Sequence, residues 1–168
     1  MRILAIDYGD ARTGIAVSDL TGSIVGSTTV IHGRNRERVI AEIVRMVLQS
    51  QAEEVVMGFP RNMDGSEGPR ADLYRDFAAA LGEALGMEVR LWDERRTTVE
   101  AHNILSAHNY HGQKRKNTVD AVAASLILEG YLAYRRNHPA AEQAAALNAH
   151  TTVPPTGGTT LPPTGGQY

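Results

Sequence analysis

Three acidic sites near the ends of predicted elements are the part of this sequence best suited to chemistry. Asp7 ends the first apolar run just before Gly9, the pair Asp93-Glu94 ends a later run, and we expect Asp120 in the first turn of a long helix. A carboxylate at the end of a buried strand is costly to desolvate unless a partner compensates its charge. A divalent metal ion is the simplest partner that would hold three separate carboxylates together in their ionised form.

Carboxylate ligands of this kind are typical of phosphodiester hydrolysis. That reaction needs a nucleophilic water and a stabilised leaving oxygen, and two metal ions roughly 3.5–4 Å apart can supply both. Hard oxygen ligands favour Mg²⁺ or Mn²⁺. Because side chains alternate along a strand, we expect one residue of the Asp93-Glu94 pair to be a ligand and the other to be structural.

Each acid also has a structural interpretation. Asp7 could be a turn residue that binds backbone amides near Gly9, and Asp93-Glu94 could be an exposed strand end paired with a neighbouring arginine. Asp120 lies three residues after Asn117, which resembles a capping box at a helix start. The metal interpretation rests on the combination, because one fold would bring all three element ends together.

Basic residues near the acids indicate a polyanionic substrate. The net charge of −2 does not by itself indicate nucleic-acid binding. Two basic clusters nevertheless lie within a few residues of the candidate acids, and a cationic rim around an acidic centre suits an enzyme that acts on a polyanion. The predicted phosphate-binding residues in these clusters are Arg95, Arg96, Lys114 and Lys116.

Two further segments are candidates for substrate contact. Arg12 follows the turn after Asp7, where it could meet a phosphate or pair with an acid. The loop that carries Arg61 and Asn62 follows a predicted strand and could clasp a substrate backbone, or it could be an ordinary turn between a strand and a helix. The sequence alone does not decide between these alternatives.

The hydrophobic pattern predicts five strands and four helices. Three closely spaced strands followed by strand–helix–strand crossovers indicate an α/β protein with a mixed five-stranded sheet and helices on both faces, as in the ribonuclease H-like fold. Active sites of such sheets lie outside the strand ends. The strands are predicted at 2–8, 13–18, 24–31, 54–59 and 87–92, the helices at 36–50, 70–85, 97–107 and 118–136, and polar loops at 60–69 and 109–116.

Composition divides the chain into three parts. We expect one catalytic domain over 1–137, an alanine-rich extension of weak helical character over 138–150, and a disordered tail over 151–168 that repeats one Thr/Pro/Gly octapeptide. The absence of cysteine excludes disulfides, a thiolate nucleophile and Cys-ligated metals. No apolar stretch approaches the roughly 18–20 residues of a membrane span, so we expect a cytoplasmic protein without membrane contact.

Four linked motifs resemble the YqgF family, also known as pre-16S rRNA nucleases or RuvX-type Holliday junction resolvases. The resemblance covers residues 1–135 and implies a ribonuclease H-like nuclease that helps to form the 5′ end of small-subunit ribosomal RNA. It implies that Asp7, Glu94 and Asp120 are the catalytic and metal-binding acids. The motifs are Asp7-Tyr-Gly9 with Arg12-Thr-Gly14, the segment 58–65, the segment 93–101, and Lys116-Asn-Thr-Val-Asp120-Ala with residues 123–131.

Three functions therefore deserve comparison. The first is a metal-dependent nuclease on RNA, with pre-16S ribosomal RNA or a ribosomal precursor particle as its partner. The second is a resolvase of four-way DNA junctions, which would need two active sites and hence a homodimer; the sequence leaves monomer and homodimer open. The third is a non-catalytic RNA-binding factor in ribosome assembly. A sugar-kinase-like ATPase is disfavoured because those folds duplicate this unit and exceed a single domain in length.

Overall fold

A computed structural model describes residues 1–61, 64–93 and 112–138 of the chain. Within these residues the strands and helices follow the predicted order, with small shifts at their ends except at the start of the last helix. The predicted helix over 97–107 and the predicted tail lie outside the described residues. The elements are β1 (Arg2–Asp7), β2 (Arg12–Ser18), β3 (Val25–His32), α1 (Arg36–Ser50), β4 (Ala52–Phe59), α2 (Ala71–Leu85), β5 (Val89–Asp93) and α3 (Gly112–Asn137).

The five strands form one mixed sheet in the order β3-β2-β1-β4-β5. Strands β1, β2 and β3 pair antiparallel because their connections are short, whereas α1 and α2 return the chain so that β1, β4 and β5 run parallel. The predicted mixed five-stranded sheet is confirmed. The parallel arrangement brings the carboxyl ends of β1, β4 and β5 to one edge of the sheet.

The two faces of the sheet are covered by different helices, as predicted. Leu4 and Ile6 of β1 belong to the core formed with α1 and α2, and Ile3 and Ala5 belong to the core formed with α3. We call these the α1–α2 face and the α3 face. Because strand side chains alternate, Asp7 follows Ile3 and Ala5 onto the α3 face.

Each helix on the α1–α2 face packs one apolar stripe against the sheet. In α1, Val39, Ile43 and Val47 are buried. In α2, Phe77 is fully buried, whereas Leu73 is 40% exposed. The buried stripe of α2 also contains Ala71, Ala78 and Leu81, and Leu73 lies at the margin of that stripe at 100° per residue.

The start of α3 corrects the sequence interpretation. We predicted a loop through residue 116 and a helix from 118 with Asn117 as its cap, but the helix begins at Gly112. The residues 113–116 are Gln, Lys, Arg and Lys, which favour helix although their polarity resembles that of a loop. Asp120 therefore lies beyond the first turn, and the interpretation of Asp120 as a capping residue is wrong.

A buried ionic network fastens α3 at the end of the sheet away from Asp7. Glu54 of β4 is only 7% exposed, and its carboxylate accepts a hydrogen bond from the Tyr131 hydroxyl. Arg90 Nη1 lies 3.0 Å from Glu54 Oε1, and Arg135 Nη1 lies 3.5 Å from Glu54 Oε2. Burial, together with the hydrogen bond to Glu54, raises the pKa of the Tyr131 hydroxyl above its ordinary value. The network joins β4, β5 and α3.

Among the described residues, no helix combines the length and the apolar character that a membrane crossing would need.

Replacing Glu54 tests how much this network stabilises the fold. We expect Glu54→Ala to lower the free energy of unfolding by about 3 kcal/mol, because Arg90 and Arg135 lose the carboxylate that compensates their charge. The neighbouring Glu53 is exposed, so Glu53→Ala should change stability by no more than about 0.5 kcal/mol. Urea unfolding followed by circular dichroism measures both, and equal effects of the two substitutions would contradict a stabilising role.

Candidate active site

Asp7 lies where the parallel strands end. It is the last residue of β1, is half-buried, and pairs across the antiparallel ladder with Gly14 of β2. The preceding residue, Ile6, is in register with Met57 of β4. The Asp7 carboxylate is therefore on the α3 face, beside the ends of β2 and β4.

Gly14 brings helix α3 into contact with the sheet at this point. A Cβ atom on Gly14 would lie 2.2 Å from the backbone oxygen of Asp120 and 3.2 Å from the Cβ of Ala124. Only glycine permits so close an approach of a helix backbone to the strand. Since Gly14 is also the partner of Asp7, Asp7 and Asp120 flank the same residue on the same face of the sheet.

Arg12 is tied directly to Asp120. Its Nε donates a hydrogen bond of 2.7 Å to Asp120 Oδ2, and the two side chains are 30% and 21% exposed. Arg12 belongs to β2, two residues from Gly14 and on the same face. The sequence allowed Arg12 either to meet a phosphate or to pair with an acid. In the structure it pairs with an acid.

The turn between β1 and β2 is held in place by glycine and by α2. A Cβ on Gly9 would lie 2.3 Å from the backbone oxygen of Arg12, so the turn requires glycine. The Tyr8 ring stacks on Phe77 with ring centroids 3.8 Å apart. The hydroxyl of Tyr74 donates to the backbone oxygen of Tyr8 at 3.0 Å.

The sequence analysis did not predict these contacts of the turn. The signal that could have indicated them is Tyr8, an aromatic residue directly after Asp7 at the end of β1. The same turn carries a surface ion pair that the sequence analysis also did not predict, in which Arg70 Nη2 lies 2.5 Å from Asp10 Oδ1. Together the contacts attach the turn that follows Asp7 to the start of α2.

Arg61 follows β4 at the same edge of the sheet and is held by its own loop. It forms an isolated β-bridge with Glu67, its Nη2 lies 3.9 Å from Glu67 Oε1, and its Cζ lies 5.8 Å from the centre of the Phe59 ring. Glu67 also binds Arg75, whose hydrogen bonds lower the pKa of that carboxyl. The negative charge of Glu67 thus partly compensates the positive charge of Arg61, which we predicted to contact the substrate.

Asp93 lies on the other face of the sheet from Asp7. It is in register with Phe59, and the Phe59 ring lies 5.0 Å from the guanidinium of Arg75 in α2. The preceding residue, Trp92, belongs to the α3 core. Alternation along β5 therefore directs Asp93 to the α1–α2 face, which disfavours it as a ligand together with Asp7.

The structure does not describe the side chains of six predicted site residues. Glu94, Arg95, Arg96 and Asn62 lie outside the described residues, and Lys114 and Lys116 are described only as backbone of α3. Their roles stay predictions.

The described carboxylates fit a hard divalent cation but do not complete a site for one. Asp7 and Asp120 supply oxygen ligands on one face, which are the ligands that Mg²⁺ and Mn²⁺ prefer. Within residues 1–61, 64–93 and 112–138, no group of three acidic, histidine or cysteine side chains could hold a metal ion. The third acid of the predicted set, Glu94, is not among them.

Comparison with known proteins assigns the chain to a family. The profile of RuvX, described as Holliday junction resolvase, matches residues 1–134. The chain belongs to the RuvX family. A relative from Halothermothrix orenii, named "Putative pre-16S rRNA nuclease", is 44% identical over 80% of this chain and 96% of its own length. Another of the same name from Carboxydothermus hydrogenoformans is 41% identical over 80% of this chain and 98% of its own.

Solved structures show the same fold at low sequence identity. RuvC of Thermus thermophilus matches with a TM-score of 0.50 and 13% identity, over 80% of this chain and 96% of that one. The same RuvC in complex with a Holliday junction substrate matches with a TM-score of 0.53 and 12% identity, over the same shares. The predicted ribonuclease H-like fold is confirmed.

A methyl group at Gly14 tests whether the approach of α3 is as tight as described. We expect Gly14→Ala to destabilise the protein by about 3 kcal/mol, because the clash is with backbone and cannot be relieved by a side-chain rotation. Gly130→Ala is the matched control within α3, since its nearest neighbour is the Trp92 side chain at 3.4 Å. The control should be neutral or stabilising by up to about 1 kcal/mol. Urea unfolding curves check both, and a neutral Gly14→Ala would refute the close contact.

Proposed function

We propose that the protein is a metal-dependent nuclease that hydrolyses phosphodiester bonds in RNA, with the 5′ end of pre-16S ribosomal RNA as its substrate. The observation that carries the proposal is that Asp7 and Asp120 both lie beside Gly14 on the α3 face, near the carboxyl ends of the parallel strands. Family membership supports the nuclease class, and the names of the relatives support the RNA substrate.

The metal ligands in this proposal are Asp7, Asp120 and Glu94. Asp7 and Asp120 are supported by their common face, and Glu94 is preferred to Asp93 because Asp93 is directed to the opposite face. When bound, Mg²⁺ or Mn²⁺ would make water nucleophilic at neutral pH and compensate the charge on the leaving oxygen. A pair of ions is the arrangement that the three carboxylates suit best.

The remaining residues of the site would bind and orient the nucleic acid. Arg95, Arg96, Lys114 and Lys116 would hold phosphates around the acidic centre, and the loop of Arg61 and Asn62 would contact the substrate backbone. The turn fastened by Tyr8 to Phe77 and Tyr74 keeps Asp7 in a constant position. A rigid acidic centre within a cationic rim attracts a polyanion and fixes one phosphate at the reacting position.

A four-way DNA junction is the second candidate substrate, and the family's description as a Holliday junction resolvase favours it. Cutting a symmetric junction requires two active sites related by a two-fold axis, so this function predicts a homodimer. A protein that sediments as a monomer at the concentration used for cleavage would count against it. A non-catalytic assembly factor remains the third candidate, and it predicts binding of precursor RNA without cleavage.

Substitution of Asp7 tests the proposed chemistry. We expect Asp7→Asn to lower the rate of Mn²⁺-dependent cleavage of labelled pre-16S RNA by at least about 100-fold, because a neutral amide is a poor ligand for a hard cation. Asp10→Asn is the control, since Asp10 lies in the same turn but is exposed and paired with Arg70. Cleavage should be measured with Mn²⁺, Mg²⁺ or EDTA, beside a four-way DNA junction. Equal activity of wild type and Asp7→Asn would exclude the proposed centre.

The salt dependence of RNA binding tests the cationic rim. Replacing Lys114 and Lys116 together by alanine should reduce the slope of log K against log salt by about 1.4, or about 0.7 for each phosphate contact with a single strand. Arg34→Ala/Arg38→Ala removes the same charge from exposed positions next to and within α1, on the other side of the sheet. That control should leave the slope unchanged. An unchanged slope in the lysine variant would remove both lysines from the interface.

A further inference from the structure

The ion pair between Arg12 and Asp120 occupies an oxygen that the proposed metal site needs. Arg12 Nε lies 2.7 Å from Asp120 Oδ2, and neither side chain is fully buried. Among the described residues this is the single hydrogen bond that the Arg12 side chain makes, so the contact is not the two-pronged fork that makes arginine–carboxylate pairs strong. A partly exposed, single-contact pair exchanges its partner at little cost.

We propose that Arg12 is the cation that neutralises Asp120 while no metal is bound, and that a divalent ion must displace it from that carboxylate. The inference rests on the proposed metal site. Asp7 and Asp120 are like charges on one face beside Gly14, and like charges repel each other. The Arg12 guanidinium relieves that repulsion. A metal ion and a guanidinium repel each other at one carboxylate oxygen, so their binding to Oδ2 is competitive.

The position of Arg12 determines what it does after displacement. It is the first residue of β2, on the same face as Gly14 and Asp120, and its backbone is held by pairing with His32 of β3. The displaced side chain therefore stays at the margin of the acidic centre. A guanidinium has five donors that match phosphate oxygens, so Arg12 would pass from Asp120 to a substrate phosphate. Arg12 would thus link metal binding to substrate binding.

Another ion pair nearby provides a control for the loss of one positive charge. Arg70 contacts Asp10 in the turn between β1 and β2, but both side chains are more exposed, at 52% and 60%, and Asp10 is not part of the proposed ligand set. A general electrostatic effect on metal binding would be similar for loss of Arg70 and of Arg12. Competition for Asp120 is specific to Arg12.

Calorimetric titration of the protein with Mn²⁺ tests the competition directly. We expect Arg12→Gln to bind Mn²⁺ about fivefold more tightly than wild type, which corresponds to the roughly 1 kcal/mol of a partly exposed ion pair. Arg12→Lys keeps a cation beside Asp120 and should bind within about twofold of wild type, as should Arg70→Gln. The gain in melting temperature on adding Mn²⁺ should be larger for Arg12→Gln than for the other three proteins.

A second measurement needs no variant and so does not depend on how well Arg12→Gln folds. In nuclear magnetic resonance spectra of the wild type, the Arg12 Nε–H signal should be protected from exchange without metal and should lose protection as Mg²⁺ is added. Binding of Mn²⁺ that is unchanged or weaker in Arg12→Gln, or an Arg12 signal unaffected by bound Mg²⁺, would overturn the competition and leave the metal site standing. If wild type and Arg12→Gln both bind no Mn²⁺, the metal site itself is wrong, and the competition is wrong with it.

Discussion

The close approach of helix α3 to strand β2 at Gly14 is the constraint on which the candidate site depends. The backbone oxygen of Asp120 occupies the space that a side chain at position 14 would fill. Because Gly14 is also the ladder partner of Asp7, the absence of a side chain at position 14 allows two acids far apart in the chain to lie beside the same residue. Any residue other than glycine would move α3, and Asp120 with it, away from Asp7.

Two different contacts hold α3 along its length. At the far end, the buried carboxylate of Glu54 binds Tyr131 and Arg135. At the site end, α3 carries an acid whose ion pair with Arg12 is partly exposed. Glu54, to which we assign only a stabilising role, is buried and paired with two arginines, whereas Asp120, which we propose as a metal ligand, is 21% exposed and paired with Arg12.

Local pattern was enough to predict most of the fold, and it failed where the local signal was ambiguous or where long-range packing decides. Strand alternation and the helical spacing of Val39, Ile43 and Val47 report burial directly, so the sheet and its helices could be predicted. The start of α3 could not, since the polar run 113–116 has the composition of a loop and the propensity of a helix. The face on which Asp93 lies depends on the packing of Phe59 and Trp92 against different helices. The partner of Arg12, Asp120, lies in α3, and hydrophobic periodicity cannot show that α3 packs beside β2.

The central claim is that Asp7 and Asp120 bind one metal centre, and anomalous scattering from Mn²⁺ in crystals of the protein tests it most directly. The account predicts a strong anomalous peak within coordination distance of both carboxylates, with the Arg12 guanidinium no longer on Asp120 Oδ2. A well-ordered site without such a peak at a saturating Mn²⁺ concentration, with Arg12 still bound to Asp120, would contradict it.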